Sequence, residues 1–592
     1  MINIKHKVDC CGCNACDDIC PKDAITFKTD IEGVWYPKVD INKCIDCHLC
    51  ENVCPILNYD GLNKFNSENP TTWVLQHKNV KERFNSTSGC LYPEIARYFL
   101  THNGYVAGHI FNDDFSVRGY VSNDLKDLEL LRNSKYLQSD MCGIYKRIKK
   151  LLKEGHQVLF SGCPCQVGAL KSYLKTNYPN LLTVDFTCMG IDSPKAFNKY
   201  IMSLENKYCS KVVYFKSKSK ETGWRDLTNK FIFANGKTYF GTLERDPNLI
   251  ATFLNILVRP SCYDCKFKGF PRIADITIGD FWRKPSEEFA DIDDNTGTSY
   301  YIANNEKAQM FFENIISSFR YKKVNLELLF SGNPRMKTSL EYPKFDRKKF
   351  YNQLETKDFR ELVGDYQTRV HPPKKVKRFI KNSLKALKYG NYNPISFLRF
   401  FYYNLFCSCV NANIANGDVL LIQNSVKIKL PKSAKITVKG YCSIGNNSIV
   451  DLKENAKLMM DTIDAGLGKF VLSIDTDAKL SIGYRTIISN NVFISCSKKI
   501  EIGGFSYVGY NVSINDNNNS VVCTGDDALI SESVSIGEHC LLNENVVVKK
   551  GAQLGDEVIV EANSTVFGNF PPRTKIAGVP ASIIEKNIFW KK

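Results

Sequence analysis

The stretches CCGCNACDDICP (Cys10–Pro21) and CIDCHLCENVCP (Cys44–Pro55) decide how the N-terminal part of this 592-residue chain folds. Both fit the pattern CxxCxxCxxxCP, in which four cysteines stand at fixed intervals and a proline follows the last one. Thiolates at this spacing are typical ligands of 4Fe-4S clusters. A zinc site or a disulfide framework is the alternative, but two identical four-cysteine runs, each closed by proline, favour clusters.

In runs of this kind the first three thiolates bind one cluster and the fourth binds the other, because the tight turns cannot wrap a single cluster. We expect two ligand sets, Cys10, Cys13, Cys16 and Cys54 for one cluster and Cys44, Cys47, Cys50 and Cys20 for the other. Residues 1–62 are therefore predicted to form an α+β domain of the bacterial two-cluster ferredoxin type. Such a domain transfers electrons.

Length and composition indicate several domains and a reducing environment. The 23 cysteines fit cluster ligation better than secretion, because clusters need thiolates. We find no apolar run of the roughly 18 to 20 residues that a membrane-spanning helix needs, and no signal-peptide core, so we expect a cytoplasmic location. The formal net charge of +17 is reduced by roughly two negative charges for each bound cluster, and we predict no nucleic-acid binding.

The remaining positive charge is concentrated in a linker, predicted over residues 356–412. Residues 374–399 carry Lys374, Lys375, Lys377, Arg378, Lys381, Lys385, Lys388 and Arg399. The aromatic run FLRFFYYNLF (Phe397–Phe406) follows, and residues 374–406 together resemble a helix lying on an anionic membrane surface. The alternative is a solvated linker followed by a packing helix.

The middle of the chain alternates strand-like and helical stretches, which predicts an α/β domain over residues 70–355. It resembles the beta subunit family of coenzyme F420 (deazaflavin) hydrogenases and dehydrogenases. Five segments carry the resemblance in the family's order: NSTSGC (Asn85–Cys90), NSKYLQS (Asn133–Ser139), FSGCPCQVGALKSYL (Phe160–Leu174), DFTCMG (Asp185–Gly190), and RPSCYDCKFKG with ADITIGDFW (Arg259–Trp282).

The resemblance implies an FAD-binding reductase with a 4Fe-4S cluster of its own. The matching cysteines are Cys165, Cys188, Cys262 and Cys265. From the residues alone, buried structural thiols remain the alternative, since only the CxxC pair suggests a metal. Cys163 stands where the family usually has threonine, and is expected to be a neighbour rather than a ligand. Cys90 replaces a second glycine, which is expected to alter how the flavin ring is seated.

Within the resemblance, six residues are candidate flavin contacts: Ser86, Ser88, Gly89, Ser134, Lys135 and Tyr136. An ordinary turn and surface polar residues are the alternative. Asp280, Phe281 and Trp282 follow a buried strand and are either pocket or core residues. The chain has no GxGxxG or GxxxxGK[ST] loop, which is evidence against a pyridine nucleotide or a nucleoside triphosphate as ligand. The sequence identifies no catalytic residue.

The C-terminal region, predicted over residues 413–592, has a period of six. Apolar positions recur in two rows, one of Val534, Cys540, Val546, Ala552, Val558 and Ser564, and a second of Ile536, Leu542, Val548, Leu554, Val560 and Val566. This period predicts an all-β parallel β-helix. Together with the ending IAGVPASII it resembles the left-handed β-helix acyltransferases, which implies homotrimers and acetyl-CoA as a candidate substrate.

The chain departs from these acyltransferases where they need a histidine as general base. The corresponding stretch reads SINDNNNSVV (Ser513–Val522), with Asp516 present and asparagines in place of the histidine. His539 lies in the repeat at a usually structural position. We therefore expect that acyl transfer has been lost, and that restoring histidine at Asn517, Asn518, Asn519 or Ser520 tests this.

The leading hypothesis is an iron-sulfur flavoprotein oxidoreductase. Electrons would enter the N-terminal clusters from a ferredoxin-type donor or another redox partner, cross the central cluster and reach FAD and a small substrate. The substrate would be a sugar in polysaccharide biosynthesis or a deazaflavin. Two alternatives remain: a sugar O-acyltransferase with redox-sensing domains, and an electron-transfer scaffold that serves a partner protein. Location at the inner face of the membrane follows if residues 374–406 bind lipid.

Overall fold

The structure is a computed structural model that describes residues 1–62, 66–283, 285–370, 394–413, 418–423, 425–465, 469–517 and 531–590. The chain forms two compact units. The first comprises Met1–Cys209, Phe215–Lys230 and Phe240–Val370, and the second comprises Ser210–Tyr214, Phe231–Tyr239 and His371–Lys592. Both the predicted ferredoxin-like region and most of the central region lie in the first unit. Among the described residues, no helix has the length and apolar character to cross a membrane.

The two cysteine runs repeat in backbone as well as in sequence. Each contains a single-turn helix, α1 (Ala15–Asp18) and α2 (Leu49–Asn52), preceded by a residue in the left-handed conformation, Asn14 and His48. The strands β1 (Ile25–Thr29) and β2 (Trp35–Val39) form an antiparallel hairpin between the runs. The hairpin and helices bring the end of each run back to the start of the other.

A nine-stranded mixed sheet forms the centre of the first unit, in the order β14-β3-β13-β12-β8-β7-β4-β5-β6. Its strands are β3 (Thr71–His77), β4 (Tyr105–Phe111), β5 (Val117–Ser122), β6 (Ser139–Asp140), β7 (Val158–Ser161), β8 (Leu181–Phe186), β12 (Ile276–Asp280), β13 (Ser299–Ala303) and β14 (Phe319–Val324). Strands β4, β7, β8 and β12 run parallel at its centre. Their carboxyl ends therefore lie at one edge, where open α/β sheets place their sites.

Helices and further strands surround this sheet. The helices are α3 (Val80–Asn85), α4 (Leu91–Thr101), α5 (Leu128–Leu131), α6 (Ile144–Lys153), α7 (Pro164–Leu174), α8 (Pro194–Tyr208), α9 (Pro247–Phe253), α10 (Glu306–Phe312), α11 (Leu326–Phe330), α12 (Arg347–Gln353) and α13 (Phe359–Val370). The remaining strands are β9 (Val212–Ser219), β10 (Thr228–Phe233) and β11 (Thr238–Thr242). One apolar core includes Cys11, Cys13 and Cys165 together with Phe160 and Phe267, so these thiols are part of the core.

The second unit is a parallel β-helix, as the hexapeptide period predicts. Its strands are β15 (Val410–Ala412), β16 (Val419–Ile422), β17 (Lys427–Lys429), β18 (Lys435–Lys439), β19 (Tyr441–Ile444), β20 (Ile449–Leu452), β21 (Lys457–Asp461), β22 (Asp464–Ala465), β23 (Phe470–Ile474), β24 (Lys479–Ile482), β25 (Ile487–Ile488), β26 (Val492–Cys496), β27 (Lys499–Ile502), β28 (Tyr507–Val508), β29 (Ser513–Asn515), β30 (Val534–Ile536), β31 (Leu541–Leu542), β32 (Val547–Val548), β33 (Gln553–Leu554), β34 (Ile559–Val560), β35 (Thr565–Val566), β36 (Asn569–Phe570), β37 (Thr574–Gly578) and β38 (Ala581–Lys586). Strands three apart in the chain pair in parallel, which gives sheets of eight, seven and seven strands and a two-stranded sheet of β16 and β19. The last strand, β38, returns antiparallel to β37.

The length of a coil falls along this β-helix. Lys457 pairs with Lys479 in a coil of 22 residues, Lys479 with Lys499 in one of 20, and Ser535 with Gln553 in one of 18. Only the last equals three hexapeptides, so the strict period of six begins near residue 534. The earlier coils keep the same three sheets and carry the additional residues in their turns.

One corner of the coil is built from an asparagine ladder. Asn491, Asn511, Asn545 and Asn563 all adopt the left-handed conformation, with φ between 58° and 61°. Each side chain donates to the next, over 3.2, 3.0 and 2.9 Å. Asparagine tolerates this backbone conformation better than other residues with side chains, which explains why the residue recurs there.

A short helix, α14 (Pro394–Phe401), continues into one π-helical turn (Tyr402–Phe406) at the start of the coil. Phe400 packs against Val419 and Leu421. The opposite face leaves four apolar side chains exposed, Leu398, Tyr402, Leu405 and Phe406. The basic part of the predicted membrane-binding segment, residues 374–388, lies outside the described residues.

Candidate cofactor sites

Two cavities of the first unit bring the eight N-terminal thiols together in two groups of four. The first is bordered by Cys20, Cys44, Cys47 and Cys50, and the second by Cys10, Cys13, Cys16 and Cys54. The last cysteine of each run thus lies with the first three of the other, which is the grouping expected from the spacing. Among the described residues, no group of three or more His, Cys, Asp or Glu side chains is arranged to hold a single metal ion.

The surroundings of the second cavity are apolar and contain one buried cation. Burial raises the pKa of the Cys16 thiol well above its ordinary value and that of Cys54 to about 11. Burial also raises the pKa of Cys10, although the positive charge of Arg259 opposes this. Neutral thiols are therefore favoured until a positively charged centre compensates the thiolates, which is what a metal cluster does.

Arg259 is the cation beside this group, and it is fully buried. Its Nε donates to the carbonyl of Cys10 over 2.8 Å, and its Nη1 donates to Gln138 Oε1 and to the carbonyl of Trp35, both over 3.0 Å. The guanidinium carbon lies 4.3 Å from the ring centroid of Tyr36. Arg259 thus ties the cysteine loop to β2 and to the central domain, a role that the sequence did not reveal.

A third cavity collects the four cysteines that the family resemblance implies as ligands, Cys165, Cys188, Cys262 and Cys265. Cys165 lies in the first turn of α7, which follows β7, and Cys188 follows β8. Cys262 ends a 3-10 turn (Pro260–Cys262) and Cys265 comes three residues later. The parallel strands therefore assemble a group whose members are far apart in sequence.

Burial and positive charge characterise this third group as well. Burial raises the pKa of Cys262 to about 12 and also raises that of Cys265. Arg272 and Lys268 line the same cavity, and Lys268 Nζ donates to the carbonyl of Cys188 over 2.7 Å. These two cations are placed to balance the negative charge of a thiolate-ligated centre.

Two further cysteines contact these groups without belonging to a predicted ligand set. The thiol of Cys11 hydrogen-bonds those of Cys13 and Cys165, and these contacts hold the pKa of Cys11 well below its ordinary value. The thiol of Cys163 hydrogen-bonds those of Cys165 and Cys188. Cys163 is the N-cap residue of α7, and the expectation that it is a neighbour rather than a ligand stays a prediction.

The two segments expected to contact a flavin lie side by side. The hydroxyls of Thr87 and Ser134 are 3.3 Å apart. Two of the candidate flavin contacts form hydrogen bonds within the protein. Ser86 Oγ donates to the carbonyl of Glu82, and Ser88 Oγ donates to that of Thr298. Lys135 Nζ donates to three carbonyls at the end of α5, those of Leu130, Leu131 and Arg132.

Backbone packing and conformation determine which residues fit the turn at Gly89 and Cys90. A Cβ on Gly89 would lie 2.7 Å from the backbone nitrogen of Ser299, so the turn packs too closely for a side chain. Cys90 adopts the left-handed conformation, with φ of 70°, at the N-terminus of α4. A glycine fits that conformation without strain, and Cys90 instead places a buried thiol against the turn.

Three lysines of the sequence KSKSK (Lys216–Lys220) were missed by the sequence analysis. Lys216 and Lys218 lie in β9 and Lys220 follows it, so lysine occupies every second position, although Lys218 has a left-handed backbone with φ of 52°. Lys216 Nζ donates to the carbonyl of Phe84 over 3.0 Å, and Lys220 Nζ donates to that of Ser88 over 2.5 Å. The alternation was the available signal, but strand lysines usually indicate an exposed edge.

The middle lysine connects this row to aromatic residues. Lys218 Nζ forms an ion pair with Asp280 over 2.5 Å and lies 5.4 Å from the ring centroid of Tyr136. Trp282, which follows Asp280 and β12, stacks on Trp224 with the ring centroids 4.4 Å apart. Asp280 and Trp282 thus belong to the same neighbourhood as the predicted contact Tyr136, and Phe281 is buried core.

In the β-helix, Asp516 and His539 both make contacts that stabilise the fold. Asp516 is fully buried, and its carboxylate accepts from the backbone N–H groups of Ser497, Lys498 and Lys499 over 2.6 to 2.8 Å. The buried ring of His539 stacks on Trp590 at 4.2 Å. Asn518, Asn519 and Ser520 lie outside the described residues.

The grouped thiols are typical of iron-sulfur electron-transfer proteins, and parts of the chain are similar to known proteins of that kind. Residues 9–57 match the family model of the 4Fe-4S dicluster domain. Residues 155–327 match that of the C terminus of the coenzyme F420 hydrogenase/dehydrogenase beta chain. Residues 155–327 are therefore similar to this family, as the sequence motifs predict, and a match to a dicluster domain precedes them.

Two curated relatives match parts of the chain. The F component of the F(420)H(2) dehydrogenase of Methanosarcina mazei is 23% identical over 204 residues, which are 31% of this chain and 54% of the relative. Ferredoxin-type protein NapF of Haemophilus influenzae is 37% identical over 51 residues, 9% of this chain and 27% of the relative. The chain thus spans about half the length of the first relative and about a quarter of the second.

Solved structures resemble separate parts of the chain. A chain of the F420-reducing [NiFe] hydrogenase complex from Methanosarcina barkeri is 16% identical with a TM-score of 0.33, covering 52% of this chain and 94% of its own. The polysialic acid O-acetyltransferase OatWY is 24% identical with a TM-score of 0.21, covering 29% of this chain and 87% of its own. The assignment of the β-helix rests on its own strand pairing.

Proposed function

We propose that the chain is an iron-sulfur flavoprotein oxidoreductase with three 4Fe-4S clusters and one FAD. The observation that carries this proposal is the grouping of twelve cysteines into three cavities within a single compact unit. The third group stands at the carboxyl ends of β7 and β8, the edge at which open α/β sheets bind ligands.

The residues around the thiols fit clusters. Backbone N–H groups point at three of the sulfurs, from Ile2 to Cys50 Sγ over 3.2 Å and, over 3.4 Å each, from Ala24 to Cys20 Sγ and from Gly190 to Cys188 Sγ. Hydrogen bonds of this kind stabilise thiolate ligands and raise the reduction potential of the cluster that they hold. The apolar surroundings exclude water from the same sulfurs.

The region around Lys218 fits a flavin. Lys216 and Lys220 place buried amino groups beside the turn of residues 86–90. Burial lowers the pKa of both, and an anionic diphosphate would favour their protonated forms. Tyr136 and Trp282 provide aromatic surface next to Lys218. A bound flavin supplies the conversion between one-electron and two-electron transfer, and the residues hold and orient it.

Anaerobic purification followed by assay of iron, sulfide and flavin tests the proposal. About twelve irons and one flavin per chain are expected. The Cys265→Ser variant should retain about eight irons, whereas Cys209→Ser, which changes an exposed cysteine outside the three groups, should retain all of them. Eight irons and no flavin in the wild-type protein would contradict the proposal for the central domain.

For the substrate we propose one of two chemical classes. The family match favours a deazaflavin, and the β-helix favours a sugar in polysaccharide biosynthesis. The reduced protein is mixed with a compound of each class, and reoxidation of the flavin shows which of the two is a substrate. No turnover with either, together with rapid electron exchange with a partner protein, would favour the electron-transfer scaffold instead, and the relatives that belong to multi-protein complexes make a protein partner reasonable.

For the coil we propose a left-handed, trimer-forming scaffold without acyl transfer. Asp516 caps three backbone N–H groups and His539 is buried under Trp590, so neither is placed as a general base. Sedimentation should give a trimer, and acetyl-CoA should not be consumed with sugar acceptors. Rapid acetylation of sugars by the natural protein, at a rate that changes when the clusters are reduced, would instead support a redox-sensing O-acyltransferase.

We further propose peripheral binding to the cytoplasmic face of a membrane. The exposed stripe of Leu398, Tyr402, Leu405 and Phe406 is apolar, and the sequence before it is basic. Co-sedimentation with vesicles containing anionic lipid should be lost in a Leu398→Ser/Phe406→Ser variant. Equal binding of that variant would contradict the proposal.

A further inference from the structure

Four lysines lie in register on one sheet of the β-helix. Lys435 at the start of β18 pairs with Lys457 of β21, Lys457 pairs with Lys479 of β24, and Lys479 pairs with Lys499 of β27. These strands are direct neighbours in the eight-stranded sheet. Neighbouring strands are about 4.8 Å apart, so the four lysines form a straight line about 14 Å long. We refer to these four residues as the lysine column.

The lysine column faces outward. In each of the four strands the residue after the lysine is buried, whereas Lys435, Lys457 and Lys479 are exposed and Lys499 is half-buried. Among the described residues, the first three lysines have no ion-pair partner, and Lys499 pairs with Glu501 over 2.9 Å. Three positive charges are thus left in one line without a direct counter-charge.

This register has an electrostatic cost, because like charges directly opposite each other on neighbouring strands destabilise a sheet. The same coils avoid that cost on a second sheet. There Lys427 and Lys429 also point outward from β17, but they pair with Ile449 and Asp451. The line of lysines is therefore a feature of one face and not a general consequence of the basic composition.

We propose that the lysine column binds a linear acidic polysaccharide, with lysines of successive coils contacting successive acidic groups of the polymer. The proposal rests on the β-helix alone and does not depend on the clusters or the flavin proposed above. The distance between neighbouring strands is close to the length of one sugar unit in an extended chain, so the column matches a polymer with one charge on each unit. Binding makes no covalent bond.

The surroundings of the column favour a single polymer chain over a membrane. Glu454 and Asp477 are exposed in the turns that precede β21 and β24, three residues before Lys457 and two residues before Lys479. An anionic membrane would cover these turns together with the sheet, and both carboxylates would repel it. A single chain that follows the column leaves them to one side.

The outward positions beside the column favour a sugar polymer over a nucleic acid. They lie two residues after each lysine and are Thr437, Met459, Ser481 and Glu501. Proteins that bind single-stranded nucleic acids combine positive charge with aromatic side chains on which the bases stack, and none of these four residues is aromatic. The hydroxyls of Thr437 and Ser481 can instead exchange hydrogen bonds with the hydroxyls of a sugar.

The test measures the binding of polygalacturonate, a linear polymer with one carboxylate on each sugar, to the full-length protein by calorimetry at several salt concentrations. Lys457→Gln/Lys479→Gln removes the two central charges of the column. We expect affinity at low salt to fall by about tenfold or more, and the slope of log Kd against log salt concentration to decrease by about one to two, because fewer counterions are released.

The matched control is Lys427→Gln/Lys429→Gln, which removes the same charge from the second sheet. Its affinity should change by less than about twofold at about 0.15 M salt, because charges away from the bound polymer are screened. Chemical denaturation excludes a folding defect as the cause. Lys457→Gln/Lys479→Gln should not lower the free energy of unfolding, since it relieves repulsion between neighbouring strands.

Four results would overturn the inference. The first is no binding of polygalacturonate by the wild-type protein at low salt, and the second is equal weakening in the two double variants, which would make net charge the cause. The third is binding of oligothymidylate as tight as that of polygalacturonate, which would indicate a nucleic-acid site. The fourth is an equal loss of binding to anionic vesicles in Lys457→Gln/Lys479→Gln, which would assign the column to a membrane.

Discussion

The N-terminal and central cysteine groups are built in opposite ways. The eight N-terminal thiols lie within residues 10–54, on two short loops that repeat each other in sequence and backbone. The four central thiols span residues 165–265 and meet because the carboxyl ends of the parallel strands β7 and β8 lie beside the loop that holds Cys262 and Cys265. Local spacing determines the first kind of site, whereas the complete sheet determines the second. Damage to the fold should therefore affect the central group more.

The largest expected effect comes from removing one thiol from each region. Cys47→Ser and Cys265→Ser should each lose about four irons. Cys265→Ser should slow flavin reduction by strong one-electron donors by about 100-fold or more, because every electron on the proposed route passes through the third cluster. Cys47→Ser should slow it much less, because a small donor can still reduce the remaining clusters. Iron analysis and stopped-flow absorbance measure both effects. Equal slowing in Cys47→Ser would break the distinction between the two regions.

The second prediction concerns the buried ion pair beneath the central group. Arg272 Nη2 donates to Asp185 Oδ2 over 3.0 Å, and both side chains are almost fully buried. Arg272→Met leaves the Asp185 carboxylate without its cation and should lower the free energy of unfolding by about 3–5 kcal/mol. Chemical denaturation measures this change.

The pH dependence of that variant checks its cause. Burial raises the pKa of Asp185, and losing Arg272 should raise it further. The folded state then binds a proton more readily than the unfolded state, so acidification should reduce the deficit of Arg272→Met. Replacing both partners, in Arg272→Met/Asp185→Leu, should recover much of the loss. A deficit that persists in the double variant would point to lost packing instead of an unpaired charge.

How much of this could be predicted depends on how local each signal is. Spacing alone grouped the eight N-terminal cysteines, and the hexapeptide rows predicted the β-helix from Val534 onward. Cys165, Cys188, Cys262 and Cys265 came only from the family resemblance, since nothing in their spacing shows that two strand ends meet the loop between α9 and β12. Lys216, Lys218 and Lys220 were missed because alternation along a strand does not tell which face is covered.

The third prediction compares one glycine from each region and concerns a smaller change in the free energy of unfolding. Gly12 and Gly269 both have positive φ, 71° and 85°. A Cβ on Gly12 would lie 2.5 Å from Gln138 Nε2 and 2.8 Å from Arg259 Nη1, whereas one on Gly269 would meet nothing within 4 Å. Gly269→Ala should therefore cost about 1–2 kcal/mol for the backbone alone. Gly12→Ala should cost about 1–3 kcal/mol more, from the crowding. Equal unfolding free energies for the two variants would contradict the tight packing of the N-terminal loop.

The smallest expected effect is a pH dependence that only the central region should show. Burial lowers the pKa of Lys135 to about 7 and that of Lys216 to about 8. An anionic flavin diphosphate favours the protonated lysines, so binding takes up protons when the pH lies above these values. The dissociation constant of FAD should therefore rise by about threefold to tenfold between pH 6 and pH 9.

Flavin fluorescence on dilution measures this constant. Lys216→Met should weaken binding at pH 6 and flatten the pH dependence, whereas Lys237→Met, in a turn at the surface, should change neither. The N-terminal clusters are the internal control, because their predicted ligands include no lysine. Their iron content should stay constant between pH 6 and pH 9. If the dissociation constant of FAD did not change between pH 6 and pH 9, the three lysines would have only a structural role. The groups that bind the diphosphate would then lie elsewhere along the edge formed by β8 and β12.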